Sequence, residues 1–213
     1  MSELREFFEE RQDEVEKFFI FLEKIDMEDE YMSDMPILKS QSILMLYNLI
    51  EGTVNKGIEY IFDTIGDEQL KHDEISNEIR VMWLRYFKLH LDNDGRSIET
   101  LESIDKFIAD MVEINISKFR KNNKSYFSSG SLDSSSIKKI LQKFSIECNF
   151  FEYQLQVIKE DRNFLAHGEK SFTEVSQTKS VQVIESNKDK IISFIEKYIA
   201  QIEEYVNQKR YKI

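Results

Sequence analysis

The sequence predicts an all-α protein, a single domain spanning residues 1–213 and built as a bundle of about six to seven helices, the longer ones antiparallel. Three observations carry this prediction. One proline and six glycines in 213 residues are too few for a sheet protein with many tight turns. Leu, Ile, Phe, Glu and Lys are abundant, and most of these favour helix. The apolar residues, 41% of the chain, recur at three- and four-residue spacings. No Pro- or Gly-rich stretch divides the chain.

The elements follow from stripes and stops. Residues 1–35 read as an acidic helix and linker: Leu4, Phe7, Phe8, Val15, Phe18, Phe19 and Leu22 stripe a helix from Glu3 to about Ile25, and an acidic segment from Asp26 to Met35 follows. The core is residues 36–213. Pro36 suits the opening of a second helix, which runs to about Ile65 and stops at Gly66. A third, from Gln69 to Leu91, carries Ile75, Ile79, Trp83 and Phe87. The turn Asp92-Asn93-Asp94-Gly95 resembles a calcium loop only briefly, because His90 and Leu101 would occupy its first and last ligand positions. A fourth helix is expected from Ile98 to Phe119, and the Ser/Asn/Gly-rich residues 122–134 read as a mobile loop. Short and long helices then cover Ser134 to Phe144, Phe150 to Ala166 and Ile184 to Tyr211. In the last of these, Ile191, Ile195, Tyr198, Ile202 and Tyr205 form a coiled-coil-like stripe that fits either internal packing or a dimer seam.

Composition also limits function. The N-terminus is acidic and amphipathic, and no apolar run approaches ~18 residues, so neither export nor membrane insertion is expected. A lone Cys148 has no partner for a disulfide or a thiolate metal site; it reads as a small buried hydrophobe and suits a cytoplasmic location. The formal charge of −11 opposes phosphate binding. Most of it, however, sits in residues 1–35, with thirteen acids and four bases. Across residues 118–143, seven bases, Lys121 and Lys124 among them, face only Asp133. That stretch is either a solvated loop and helix face or a set of phosphate contacts.

Helical angles indicate deliberately placed charge. At about 100° per residue from Tyr47, the positions Leu44, Ile50, Val54, Ile58, Ile61, Phe62 and Ile65 fall within about 60° of one direction, and Glu51 lies at about 40°, inside that arc. Counted from Ile158, Phe151, Leu155 and Leu165 form a similar stripe, with Arg162 at about 40°. Isolated buried charges cost several kcal/mol, so each needs a partner. Glu51 and Arg162 are expected to face each other or to share a network with Asn48, Asn55 and Asn163; Arg80 and Arg85 compete for Glu51, and a snorkelling Arg162 is the alternative.

The richest local pattern is Asp161 to Phe172, which places Arg162 and His167 where a helix ends. A cation in a last turn followed by Gly168 is also an ordinary helix terminator. Five residues separate side chains by about 140°, so Arg162 and His167 converge only if the helix unwinds near Ala166.

Arg162-Asn163-Phe164-Leu165-Ala166-His167 resembles the signature of the HEPN superfamily, whose best-known members are metal-independent ribonucleases. With Gly168-Glu169-Lys170-Ser171-Phe172 and the separate Leu46-Tyr47-Asn48-Leu49-Ile50-Glu51, the chain looks like the MAE-type HEPN proteins, a resemblance reaching from the second helix to the last. Glu169 stands where HEPN toxins controlled by nucleotidyltransferase antitoxins carry a tyrosine, so that mode of control is not implied. The resemblance implies a HEPN-like bundle, with Arg162 and His167 catalytic and Asn163, Glu51 and Asn48 supporting them; Lys170 beside the motif and Lys121 and Lys124 of the basic stretch are the candidate RNA contacts. The resemblance implies no metal and no cofactor.

It further implies RNA as partner, a homodimer that pairs two motifs in one cleft, and a toxin or antiphage effector restrained by an antitoxin or other neighbouring-gene protein. His72 and His90 lie in the third helix without a matching arginine signature. Three functional readings remain open: a homodimeric endoribonuclease making 2′,3′-cyclic phosphate and 5′-hydroxyl ends, a non-catalytic module that binds nucleotide, RNA or protein, and a structural bundle whose motif terminates a helix.

Overall fold

The computed structural model describes residues 1–26, 28–93, 127 and 132–213, with side chains omitted for 86–93. Among the described residues there are seven α-helices and no strand. They are α1 (Glu3–Asp26), α2 (Met35–Asp67), α3 (Asn77–Asn93), α4 (Ser134–Gln142), α5 (Gln154–Ala166), α6 (Phe172–Ser176) and α7 (Val181–Asn207), with a 3-10 turn at Asp29–Tyr31. The expected fourth helix, most of the 122–134 loop, Lys121 and Lys124 lie outside the described residues. No described helix is long and apolar enough to cross a membrane.

The chain forms two compact units that interleave in sequence. The first comprises Met1–Lys56, Gly130–Ile137 and Asn149–Ile199; the second comprises Gly57–Ser129, Lys138–Cys148 and Ala200–Ile213. In the first, α1 buries Leu4, Phe8, Val15, Phe19, Leu22 and Ile25, following the stripe seen in the sequence. Ile43, Leu46, Tyr47 and Ile50 of α2 and Leu155 and Ile158 of α5 are buried as well. A long-range ion pair adds to these: the Lys188 ammonium of α7 lies 2.6 Å from Glu16 of α1 and 5.1 Å from the centre of the Phe19 ring.

In the second unit, Phe62, Phe127, Phe144, Tyr205 and Tyr211 pack ring against ring at centroid distances from 5.8 to 6.4 Å. The Glu68 carboxylate gathers the C-terminal residues, with Lys209 at 2.8 Å, Lys212 at 2.5 Å and the Tyr211 hydroxyl at 3.0 Å. Cys148 is buried and free of any disulfide.

Several boundaries differ from the sequence reading. Helix α2 continues through Gly66 to Asp67, and Gln69, at φ 52°, supplies the chain reversal assigned to that glycine. Helix α3 starts at Asn77, eight residues later than expected, because the preceding segment is committed elsewhere. Ile75 bridges Lys212, Ser76 donates to the Tyr211 carbonyl at 2.7 Å, and Ile213 donates to the Glu74 carbonyl. The Arg80 guanidinium bonds the His72 and Asp73 carbonyls, which gives this candidate partner of Glu51 another role. Residues Phe150 to Tyr153 precede α5 instead of belonging to it, so Phe151 leaves the expected stripe and is 66% exposed. The stripe Ile191, Ile195, Tyr198, Ile202 and Tyr205 is buried throughout, so it serves internal packing.

Candidate functional site

The site forms within the first unit, where α2 and α5 bring Tyr47 and Arg162 together. The Arg162 guanidinium lies over the Tyr47 ring, 4.7 Å from its centroid, and its Nη1 donates to Asn163 Oδ1 at 3.2 Å. Such a contact between a guanidinium and an aromatic face is worth about 0.5–2 kcal/mol depending on solvation. Arg162 and Glu51 are half-buried, at the rim of the apolar stripes instead of deep within them. Water therefore bears part of the desolvation that full burial would have imposed.

Tyr47 itself is fully buried, and its hydroxyl accepts a 3.0 Å bond from the Leu132 N–H. Burial pushes the phenol above its ordinary pKa, and Glu51 adds to that rise, whereas the Leu132 N–H and the Arg162 charge oppose it. Glu51 and Arg162 thus push the Tyr47 hydroxyl in opposite directions, and of the expected network the structure shows the bond between Arg162 and Asn163. Asn48 points away from that centre. It is exposed and borders a separate cleft of about 150 Å³ with Arg11, Glu14, Val15, Met45 and Leu49.

At the helix end, the termination is a complete Schellman motif. Glu169 N–H bonds the Phe164 carbonyl at 3.0 Å, Gly168 N–H bonds that of Leu165 at 3.3 Å, and Gly168 takes φ +67°. His167 keeps near-helical dihedrals, φ −93° and ψ −3°, and its N–H bonds the Asn163 carbonyl. The unwinding therefore falls one residue beyond the histidine. The angular separation expected from a regular helix persists, and His167 projects into solvent on a different side of the helix end from Arg162. Lys170 is exposed too, with its ammonium 3.9 Å from the centre of the Phe164 ring.

Two residues that hold the motif were not singled out in the sequence. Tyr47, which entered there as the origin of an apolar arc and as part of the Leu-Tyr-Asn element but with no role in the site, is the surface on which Arg162 rests. Asp161 is buried and paired with the Lys179 ammonium at 2.8 Å, and Lys179 also bonds the Val175 carbonyl. The signal for Asp161 was available: it lies three residues from Ile158, about 60° from it, at the edge of the same arc. Beyond the motif, Ser171 and Glu174 form a reciprocal capping box that starts α6. Ser176 then bonds the Pro36 carbonyl and Ser40 bonds that of Phe172, each at 2.6 Å, tying α6 to the start of α2.

No curated protein and no solved structure matches the chain significantly. The family model described as MAE_28990-like HEPN matches residues 1–211, which takes in every helix described above. With the arginine-to-histidine motif closing one helix and the Leu-Tyr-Asn element on another, the chain belongs to the MAE_28990-like HEPN family.

Proposed function

We propose that the protein is a metal-independent endoribonuclease acting as a homodimer, in the role of a toxin or antiphage effector restrained by a partner protein. The observation that carries this reading is the half-exposed Arg162, fixed on the Tyr47 ring and by Asn163, beside an exposed helix end bearing His167. A planar guanidinium whose orientation is already set loses little freedom on binding a phosphate and matches its oxygens with two parallel donors. Imidazole suits proton transfer near neutral pH.

In the reaction, a base removes the proton from the ribose 2′-hydroxyl, and that oxygen attacks the adjacent phosphorus. The bond to the 5′-oxygen breaks, and an acid protonates the departing oxygen. The products are a 2′,3′-cyclic phosphate and a 5′-hydroxyl. Arg162 stabilises charge on the non-bridging oxygens. Because Arg162 and His167 emerge on different sides of one helix end, a second copy of the chain is given the task of bringing another His167 to the phosphate held by this Arg162. That histidine would take the 2′-hydroxyl proton, with water protonating the departing 5′-oxygen.

The same helix geometry favours a second reading, a non-catalytic HEPN module that binds nucleotide, RNA or a protein partner. Gly168 and the regular Schellman closure account for the helix end without any chemistry at His167. Incubating the protein, His167→Ala and Arg162→Ala with total RNA in EDTA decides between them. Cleavage by the parent that yields cyclic phosphate ends and is lost in both variants supports the nuclease. Equal background from all three proteins overturns it.

A further inference from the structure

At the other end of α5 from the motif, residues 150–152 and one face of α7 line a cleft of about 260 Å³ within the first unit, and Tyr153 follows in the chain just outside that lining. Phe150 packs edge-on against Phe194, with centroids 4.8 Å apart, and forms its apolar floor. Phe151 and Tyr153, 66% and 61% exposed, are the two most exposed aromatic side chains among the described residues. A single exposed ring needs no explanation. Two rings held outward around a pinned residue do. Ser134 Oγ donates to the Glu152 carbonyl at 2.7 Å and accepts from the Glu152 N–H at 3.0 Å, so one side chain fixes both backbone groups between the rings.

The lining of the cleft carries two lysines and two acids. Lys190 and Lys197 line it, both exposed and seven residues apart on α7, and so on one face about 10 Å from each other along the axis. The two acids, Glu152 and Asp189, also have contacts outside the cleft. Glu152 accepts the Gln154 N–H at the start of α5, and Asp189 lies 3.7 Å from the Lys188 ammonium. Exposed lysines beside outward-facing rings are a combination that holds unpaired nucleotides, with bases stacked on aromatics and phosphates at lysines.

We propose that this cleft is a base-stacking subsite for single-stranded RNA, with one base on Phe151, a neighbouring base on Tyr153 and their phosphates at Lys190 and Lys197. The proposal deepens the ribonuclease reading and rests on it for the choice of RNA. Helix α5, thirteen residues long, separates cleft and motif by about 20 Å, so the strand gripped here is several nucleotides from the bond that is cut.

The test is fluorescence anisotropy of a labelled single-stranded oligo(A) 12-mer on the full-length His167→Ala protein, which leaves the RNA uncut, compared with the same protein also carrying Phe151→Ala, Tyr153→Ala or Lys190→Ala/Lys197→Ala. Loss of one stacking ring is expected to weaken binding about tenfold. Phe151→Tyr is expected to restore it, and removing both lysines to flatten the salt dependence. Because these side chains are exposed, unchanged thermal melts are expected for every variant. AMP, tested as a competitor, separates a strand subsite from a pocket for a free nucleotide; displacement of the 12-mer at matched concentration would overturn the strand assignment.

The two readings fail separately. Unchanged oligonucleotide binding by Phe151→Ala overturns the subsite even if His167-dependent cleavage stands. Phe151-dependent binding without cleavage by the parent keeps the subsite and removes the nuclease. No binding at all removes the subsite, whatever the cleavage assay gives.

Discussion

The ring of Tyr47 is used on two sides at once: Arg162 rests on its face at 4.7 Å, while its hydroxyl receives the Leu132 N–H at 3.0 Å. Substitutions separate these contacts. Tyr47→Phe keeps the platform and strands a buried N–H, so it is expected to lower unfolding free energy by about 1–2 kcal/mol and, on the proposed ribonuclease reading, to leave RNA cleavage near the parent level. Tyr47→Ala also removes a fully buried ring and is expected to cost about 3–5 kcal/mol. Urea denaturation gives both values, and a Phe variant as unstable as the Ala variant would contradict the division.

Lys188 predicts an asymmetry. It is buried and Glu16 is 36% exposed, so removing either partner leaves a different residue behind. Glu16→Ala leaves the ammonium with its weaker partners at 3.7 and 4.0 Å and is expected to cost about 1.5–3 kcal/mol. Lys188→Met refills the space with hydrocarbon and lets Glu16 return to water, so it is expected to cost less. Chemical denaturation of both variants measures the order, and the reverse order would refute it.

Acid should loosen the C-terminal segment through Glu68. Bonds from Lys209 and Lys212, followed by that from Tyr211, hold its carboxyl down at about 2 against an ordinary 4.5. A depressed carboxyl contributes stability that is present above its unfolded value and is lost as pH falls through the folded one. Stability is therefore expected to decline between about pH 4.5 and 2, with a shallower slope in Glu68→Gln. Equal slopes in a pH series of thermal melts would remove Glu68 from the account.

Gly168 predicts a backbone effect with little steric component. A Cβ there meets nothing within 4 Å, but φ is +67°. Gly168→Ala is expected to cost about 1–2 kcal/mol from the left-handed conformation alone, and Gly168→Asn less. Stability is read from urea midpoints. A neutral Ala variant would mean that the helix end relaxes easily.

How much of this was readable in the residues depends on how local the cause is. The stripe Leu4, Phe8, Val15, Phe19 in α1 needs only helical periodicity and one buried side, and the structure buries all four. The beginning of α3 could not be read that way. Ile75 fits the spacing of Ile79 and Trp83, yet it pairs with Lys212, 137 positions away in the chain. Phe151 fitted a stripe by angle alone, whereas a bond from Ser134 holds its neighbour Glu152 outside the helix. For α6 the cause was local and was overlooked, since Ser171 and Glu174 have the capping-box spacing.

The motif divides along the same line. Helical angles placed Arg162 and Glu51 inside apolar arcs, whereas the structure leaves both half-buried; the seat of Arg162 on Tyr47 depended on which residues of two helices are brought together. The position of His167 turned on a single dihedral: Gly168, not Ala166, takes the unwound conformation.

The order in which the two compact units draw on the chain has a consequence for its inheritance. The first takes residues from Met1 through Ile199 and the second from Gly57 through Ile213. Any single break between positions 57 and 199 therefore divides the first unit, and one shortly before 57 divides it as well. Joining genes end to end cannot exchange one unit for another, as it can with domains strung in sequence, and a ribosome completes neither until it has passed position 199.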